Sequence, residues 1–193
     1  GQGAPTPEPN RTVNELPDLN PGQSLATSAG LPEIVTIEAR VETREVAVLS
    51  GEWSFTVALP ENAGVVEEVE SGATLTLIQA RTASVSGDGF QPDTRVDIWL
   101  FSDPTLLGSV IVSADGSFTG EVYLDVRYAI PGEHTLQLQG VADDGFIKAA
   151  NLGVVVQEPL MLTSESATGL LWWVLIAVVA VLVAVMLIVI VRR

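Results

Sequence analysis

The chain has 193 residues, 24 of them acidic against nine Lys plus Arg, and it contains no cysteine. Disulfide scaffolds, cysteine nucleophiles and thiolate metal sites are therefore excluded. The formal net charge of −15 speaks against nucleic acid as a partner, because phosphate recognition needs clustered Lys and Arg.

Residues 1–32 carry six prolines, few large apolar side chains and no period of two or 3.6. They are expected to form a disordered, proline-rich linker whose work is spacing. A sequence that opens on Gly1 with no leader before an outward-facing domain is expected to be a processed product or the carboxyl-terminal piece of something longer.

From residue 33 the texture changes to alternating β patterning. Trp53, Phe55, Val57 and Leu59 fall on one face of a strand. Residues 65–70 form an acidic connection that the pattern leaves open between a helical turn and a loop. In the strand 95–102, Val96, Ile98 and Leu100 share one face and Trp99 and Phe101 the other. Residues 107–112 and 117–124 flank Asp115-Gly116, a strong hairpin signal that predicts these two runs pair. Residues 146–156 are either the last strand pair or one long strand. Nothing between 33 and 157 has helical periodicity. The expected fold class is therefore all-β, an antiparallel sandwich over 81–157. Residues 33–80 supply either a small preceding β unit or the sandwich's first strands.

Residues 158–169 read as a polar stalk. Residues 170–191 are 22 consecutive side chains without charge. As a helix they would extend roughly 33 Å, enough to span a bilayer's hydrocarbon core. Trp172 and Trp173 sit at one interface and Arg192 and Arg193 at the other, which sets 192–193 in the cytoplasm and the N-terminal part outside. The expectation is a single-pass protein of the plasma membrane, with lipid as one partner and a protein or glycan outside the cell as another. Such a tail also resembles a cleaved sorting signal, but no sortase-type pentapeptide precedes it. All 24 acidic residues precede this run, as do seven of the nine basic ones, so the outer part has a formal charge of −17.

Few residues offer chemistry. His134 is the only histidine and lacks the partners of a metal site or triad, so it is expected to pin the corner after Pro131-Gly132. Asp88, Asp143 and Asp144 lie in glycine-containing loops and are weak calcium candidates, without the spacing of a known calcium loop. Trp99, Phe101 and Tyr123 are a candidate exposed platform for a sugar or peptide. The competing expectation places Trp99 in the core, since the inner faces of both sheets need large side chains. No cofactor site, phosphate-binding loop or catalytic carboxylate pair is expected.

One resemblance is carried by several phrases taken together. They are Val85-Ser86-Gly87-Asp88-Gly89-Phe90-Gln91-Pro92, Val96-Asp97-Ile98-Trp99-Leu100-Phe101-Ser102, Leu107-Gly108, Asp115-Gly116-Ser117-Phe118 and Pro131-Gly132-Glu133-His134-Thr135-Leu136. Over about 83–156 the chain resembles the repeat module of bacterial, especially actinobacterial, cell-surface proteins. The resemblance implies an immunoglobulin-like sandwich with a structural or adhesive role and no catalytic residues. Two other functions stay open on sequence alone: a carbohydrate-binding module, and the membrane anchor of an exported enzyme whose catalytic domain lies upstream.

Overall fold

The computed structural model describes residues 18–70 and 72–159. The expected membrane helix with Trp172, Trp173, Arg192 and Arg193 lies outside the described residues, as does most of the stalk. Among the described residues the chain is all-β, with no helix.

Thirteen strands run in chain order: β1 (Ser24–Ser28), β2 (Leu31–Glu33), β3 (Thr36–Arg40), β4 (Glu45–Leu49), β5 (Ser54–Ala58), β6 (Gly64–Val69), β7 (Gly72–Ile78), β8 (Thr82–Asp88), β9 (Arg95–Phe101), β10 (Thr105–Ile111), β11 (Phe118–Tyr123), β12 (Gly132–Val141) and β13 (Ile147–Gln157). They make two sheets. The larger has the order β10-β9-β12-β13-β1-β2, with β7 running parallel to β13 at Val154–Gln157 and β6 beyond β7. The smaller has the order β11-β8-β5-β4-β3. Strands from 36–78 thus enter both sheets.

The sheets pack as a sandwich because alternation sends one apolar face of each inward. In β5, Phe55 and Val57 are buried; in β9, Val96, Ile98 and Leu100 are. Trp53, Phe55, Phe90 and Phe118 form an aromatic cluster, with Phe55 and Phe90 centroids 4.6 Å apart and Phe90 and Phe118 5.5 Å apart. Leu75, Leu136 and Leu138 complete the interior beside them.

Three expectations are corrected. Residues 24–33 are not linker: β1 pairs with β13 from Ser24↔Leu152 to Ser28↔Lys148, and β2 folds back on β1. Little periodicity marks β1 because its order comes from β13's backbone rather than from an apolar face of its own. The acidic run at 65–70 lies largely in β6, an edge strand on which Glu67 and Glu68 are exposed. Charge on such an edge discourages further strand addition. The Asp115-Gly116 turn forms, with Gly116 N–H donating to Ser113 O at 3.0 Å, but its flanking strands do not pair as a ladder. β10 pairs with β9 and β11 with β8, so the turn carries the chain from one sheet to the other. The two edges meet where Gly120 faces Val110, and a Cβ at 120 would collide with Val110 Cγ2.

Register and backbone hydrogen bonds define the two ends of the sandwich. Trp53, Gly89, the 113–116 turn and the 143–145 turn lie at one, linked by Asp143 N–H to Gly89 O and Phe90 N–H to Gly116 O. At the other lie the turn at Arg44, the connections 59–63 and 79–81, and the loop that follows β11. They are linked by Leu59 N–H to Arg44 O, Ile78 N–H to Ala63 O, Gln79 N–H to Gln157 O and Leu124 N–H to Arg81 O. These are the Trp53 end and the Gln157 end below.

Candidate functional site

On the outer face of β9, opposite its core face, stand Asp97, Trp99 and Phe101. Trp99 and Phe101 are stacked, with centroids 6.0 Å apart and planes 14° off parallel, and both are half-buried. Asp97 is fully buried despite its charge. It is held by Arg95, whose Nε approaches Oδ1 to 2.8 Å and whose Nη2 donates to Oδ2 at 3.2 Å, and by the Ser109 hydroxyl across the β9–β10 ladder. Burying a carboxyl group is costly without such partners.

The register continues this face across β12 and β13: Trp99 lies opposite Gln137, and Gln137 opposite Asn151. The Gln137 amide donates to Asn151 Oδ1 at 2.7 Å, and the Asn151 amide to Leu25 O at 2.9 Å. The chain before β1 crosses over this face. Leu19 N–H donates to Thr135 Oγ1 at 3.2 Å, and Gly153 N–H donates to Gln23 O at 2.8 Å. Gly153 is required there, since a Cβ would collide with Asn20 O. Thr135, Gln137 and Asn151 are consequently buried.

The expected aromatic platform is therefore divided. Tyr123, 53% exposed, stands on β11 in the smaller sheet, with its own strand's Phe118 and Val122 directed inward. It cannot share one row with Trp99 and Phe101, which lie on the larger sheet. Nor is Trp99 in the core between the sheets. Strict alternation gives the inward positions of β9 to Val96, Ile98 and Leu100, and the indole is left outside them.

The calcium candidates are placed as follows. Asp88 ends β8 and is exposed, and Asp143 and Asp144 occupy the β12–β13 turn at the same end. Asp144 Oδ1 accepts from Phe146 N–H at 2.9 Å, and Oδ2 lies 2.8 Å from Lys148 Nζ. No group of three or more His, Cys, Asp or Glu able to hold a metal ion occurs among the described residues.

The Lys148 cluster has no counterpart in the sequence reading. Lys148 is the chain's sole lysine, and its side chain is only 5% exposed. Its ammonium donates to Ser28 Oγ at 2.9 Å, pairs with Asp144, and lies 3.7 Å from Glu33 Oε2. Glu33 also accepts from Trp53 Nε1 at 3.2 Å and from Ser50 Oγ at 3.1 Å. Burial opposes both charges of the Asp144–Lys148 pair. The hydrogen bond and attraction between them outweigh it, holding the Asp144 carboxyl below and the Lys148 amine above their ordinary values, with Phe146 N–H and Glu33 assisting. The arrangement fastens β2, β13 and the start of β5 together. It was illegible in sequence because Lys148 and Ser28 are 120 residues apart. A lone lysine in so acidic a chain was the only signal.

His134 occupies the corner that its position predicts. Nε2 donates to Ile130 O at 2.7 Å, just before Pro131-Gly132, which leaves Nδ1 to accept from the Ser102 hydroxyl at 2.9 Å. The ring thereby ties the loop before β12 to the end of β9.

No family model matches the chain, and no curated protein sequence matches it.

Proposed function

We propose that this protein is a single-pass, membrane-anchored surface protein whose acidic immunoglobulin-like sandwich works outside the cell as a stalk or interaction module. The observation that carries the proposal is the 22-residue uncharged run followed by Arg192-Arg193, which all 24 acidic side chains precede, most of them in the β-sandwich. Such a run inserts at a few tenths of a kcal/mol for each central Leu, Ile or Val, and the arginines fix its direction. The negative body suits an outer, solvated position, where it repels its neighbours and anionic lipid alike. Clustered carboxylate, histidine or thiolate ligands are lacking among the described residues, and the polar groups beside Trp99 are engaged with one another and with the chain before β1. A mechanical or adhesive role asks for nothing more.

The test is topological. Lys148 is too buried to report sidedness with an amine reagent, so the reporter is Ala114→Cys, an exposed turn position in a chain with no other cysteine. In intact cells an impermeant maleimide should label this variant, and alkaline carbonate should leave the protein in the membrane pellet. Labelling only after lysis, or release by carbonate, would overturn the proposal.

A further inference from the structure

The loop between β11 and β12 presents an apolar face that the sandwich does not use. Val126, Tyr128 and Ile130 are 51%, 54% and 55% exposed, and Tyr123 stands beside them at the end of β11. The loop is nevertheless firmly built. Tyr128 N–H and Ala129 N–H donate to Asp125 O, at 3.0 and 2.8 Å, and Arg127 N–H donates to Asp125 Oδ1 at 2.9 Å. Ala129 is fully buried beneath the turn, its carbonyl accepts from the Gln79 amide, and His134 holds Ile130 O. The exposed side chains are thus displayed by a turn fastened from inside. Exposed apolar side chains grouped in this way mark an interaction site more often than singly scattered ones do.

Its charge is also distinctive. The Arg127 guanidinium lies 2.6 Å from Asp125 Oδ2 and 5.2 Å from the centroid of the Tyr128 ring. The turn therefore carries one locally compensated ion pair among apolar and amphipathic groups, with the exposed Glu121 and Glu133 outside it on either side. The Trp53 end exposes Leu31 and Phe146, but Phe146 adjoins the carboxylates Asp143 and Asp144.

We propose that the turn 123–130 is a foot that rests in the headgroup layer of the membrane, with Val126 and Ile130 in the apolar boundary and the two tyrosines at headgroup level. The proposal rests on the anchored, outward-facing reading above. Chain connectivity selects lipid as the occupant. β13 ends at Gln157, at the same end as the foot, and only the ten residues 160–169 separate Pro159 from the apolar run. Whatever its conformation, a ten-residue connection spans at most about 35 Å. Of the two ends, the Gln157 end is the one that the chain ties to the apolar run. Tyrosine prefers the interface, and apolar side chains grouped on a surface sink a few ångströms into it. Because the turn's one ion pair is compensated and the body is acidic, contact should need no anionic lipid.

The full-length chain, reconstituted into phosphatidylcholine vesicles, provides the test. Val126→Cys and Ala114→Cys each carry an environment-sensitive fluorophore, and nitroxide-labelled lipid serves as quencher. Carbonate resistance of each preparation is measured in parallel, so that loss of the anchor is distinguished from loss of the foot. The expected result is a blue-shifted, lipid-quenched signal at 126 and none at 114, preserved in high salt and weaker with phosphatidylglycerol. Replacing Tyr123, Tyr128 and Ile130 by Ser in the 126-labelled protein should abolish the quenching while carbonate resistance persists. Carbonate-resistant protein with no quenching at 126, or with quenching at 114 instead, would overturn the foot and leave the anchor standing. A blue shift at 126 that rises with protein density without lipid quenching would assign the surface to a second copy and overturn the lipid proposal.

Discussion

The two ends of the sandwich are closed by different chemistry. At the Trp53 end the turns carry Glu52, Asp88, Asp115, Asp143 and Asp144, and the interior beneath them is pinned by an ammonium, two carboxylates and an indole N–H. At the Gln157 end Arg40, Arg44, Arg81 and Arg127 lie in or beside the turns among the exposed Glu42, Glu61, Asp103, Glu133 and Glu158, and the pins are a neutral amide and an imidazole holding backbone carbonyls. Both ends face the same problem, because a β-sandwich leaves polar backbone unpaired where its strands stop. The Trp53 end solves it with charge, which tolerates a wet, acidic rim. The Gln157 end solves it with short dipolar bonds, which leaves the surface above them free to be apolar. The 123–130 turn, finished in that way, can be pressed against lipid; the carboxylates on either rim cannot without cost.

The largest expected effect belongs to the charged end. Lys148→Met keeps most of the side chain's volume but strands Asp144 and Glu33 around it. Breaking a fully buried pair costs several kcal/mol. Here the two carboxylates are 31% and 24% exposed, so water takes part of their charge and the expected loss is about 2–3 kcal/mol. Thermal unfolding followed by the circular dichroism of the β-sheets should show a midpoint lower by roughly 5–10 °C. An unchanged midpoint would mean that the cluster is ornamental and that the two ends differ in composition only.

At the opposite end, His134→Phe keeps a ring in the corner and removes both of its hydrogen bonds. Ile130 O and the Ser102 hydroxyl lose their partner, at a cost of about 1–2 kcal/mol. Unlike Lys148→Met, this change should also loosen the turn above it, read as faster amide exchange at Tyr128 and Ala129. Uniform loss of protection along the whole chain would show instead that the imidazole steadies the sandwich as a body and does not act locally.

The contrast between the ends bears on what a sequence can disclose. Alternation in β5 and β9 made their faces readable, because side chains on a strand must alternate whatever the strand pairs with. The identity of the pairing partner left no such trace. Asp115-Gly116 specifies a tight reversal, and a reversal fits a hairpin and a crossing between sheets equally well; the pairing of β10 with β9 and of β11 with β8 distinguishes them. β1 was hidden for a related reason, since its order is supplied by β13. The corner role of His134 was readable because its partner Ile130 is four residues away. The Lys148 cluster was not, because its members converge from β2, β13 and the start of β5.

The smallest effect sharpens the comparison through pH. At the Gln157 end the Asp125 carboxyl is lowered to about 2, chiefly by the Arg127 side chain's hydrogen bonds and then by Arg127 N–H. At the Trp53 end Asp144 is also lowered, its bonds from Lys148 and Phe146 N–H overcoming burial. A carboxyl whose value is depressed by folding adds stability that is complete above its unfolded value, near 3.8, and that is lost as pH falls through its folded value. Both ends should therefore weaken in the same acid window, from about pH 4 downward. Asp125→Asn removes one titrating group while keeping an oxygen for Arg127 N–H, and at neutral pH the exposed pair it replaces is worth little. Its midpoint should lie slightly below the parent's at pH 7, and the two should converge as pH falls from 4 to about 2, so that the variant's decline is the shallower. The parent's steeper decline in that window is Asp125's share, and what survives in the variant belongs to Asp144 and the other depressed carboxyls. If parent and variant fall in parallel, the acid sensitivity resides at the Trp53 end, and the turn beneath the proposed foot is held by its backbone bonds and by Gln79 and His134 alone.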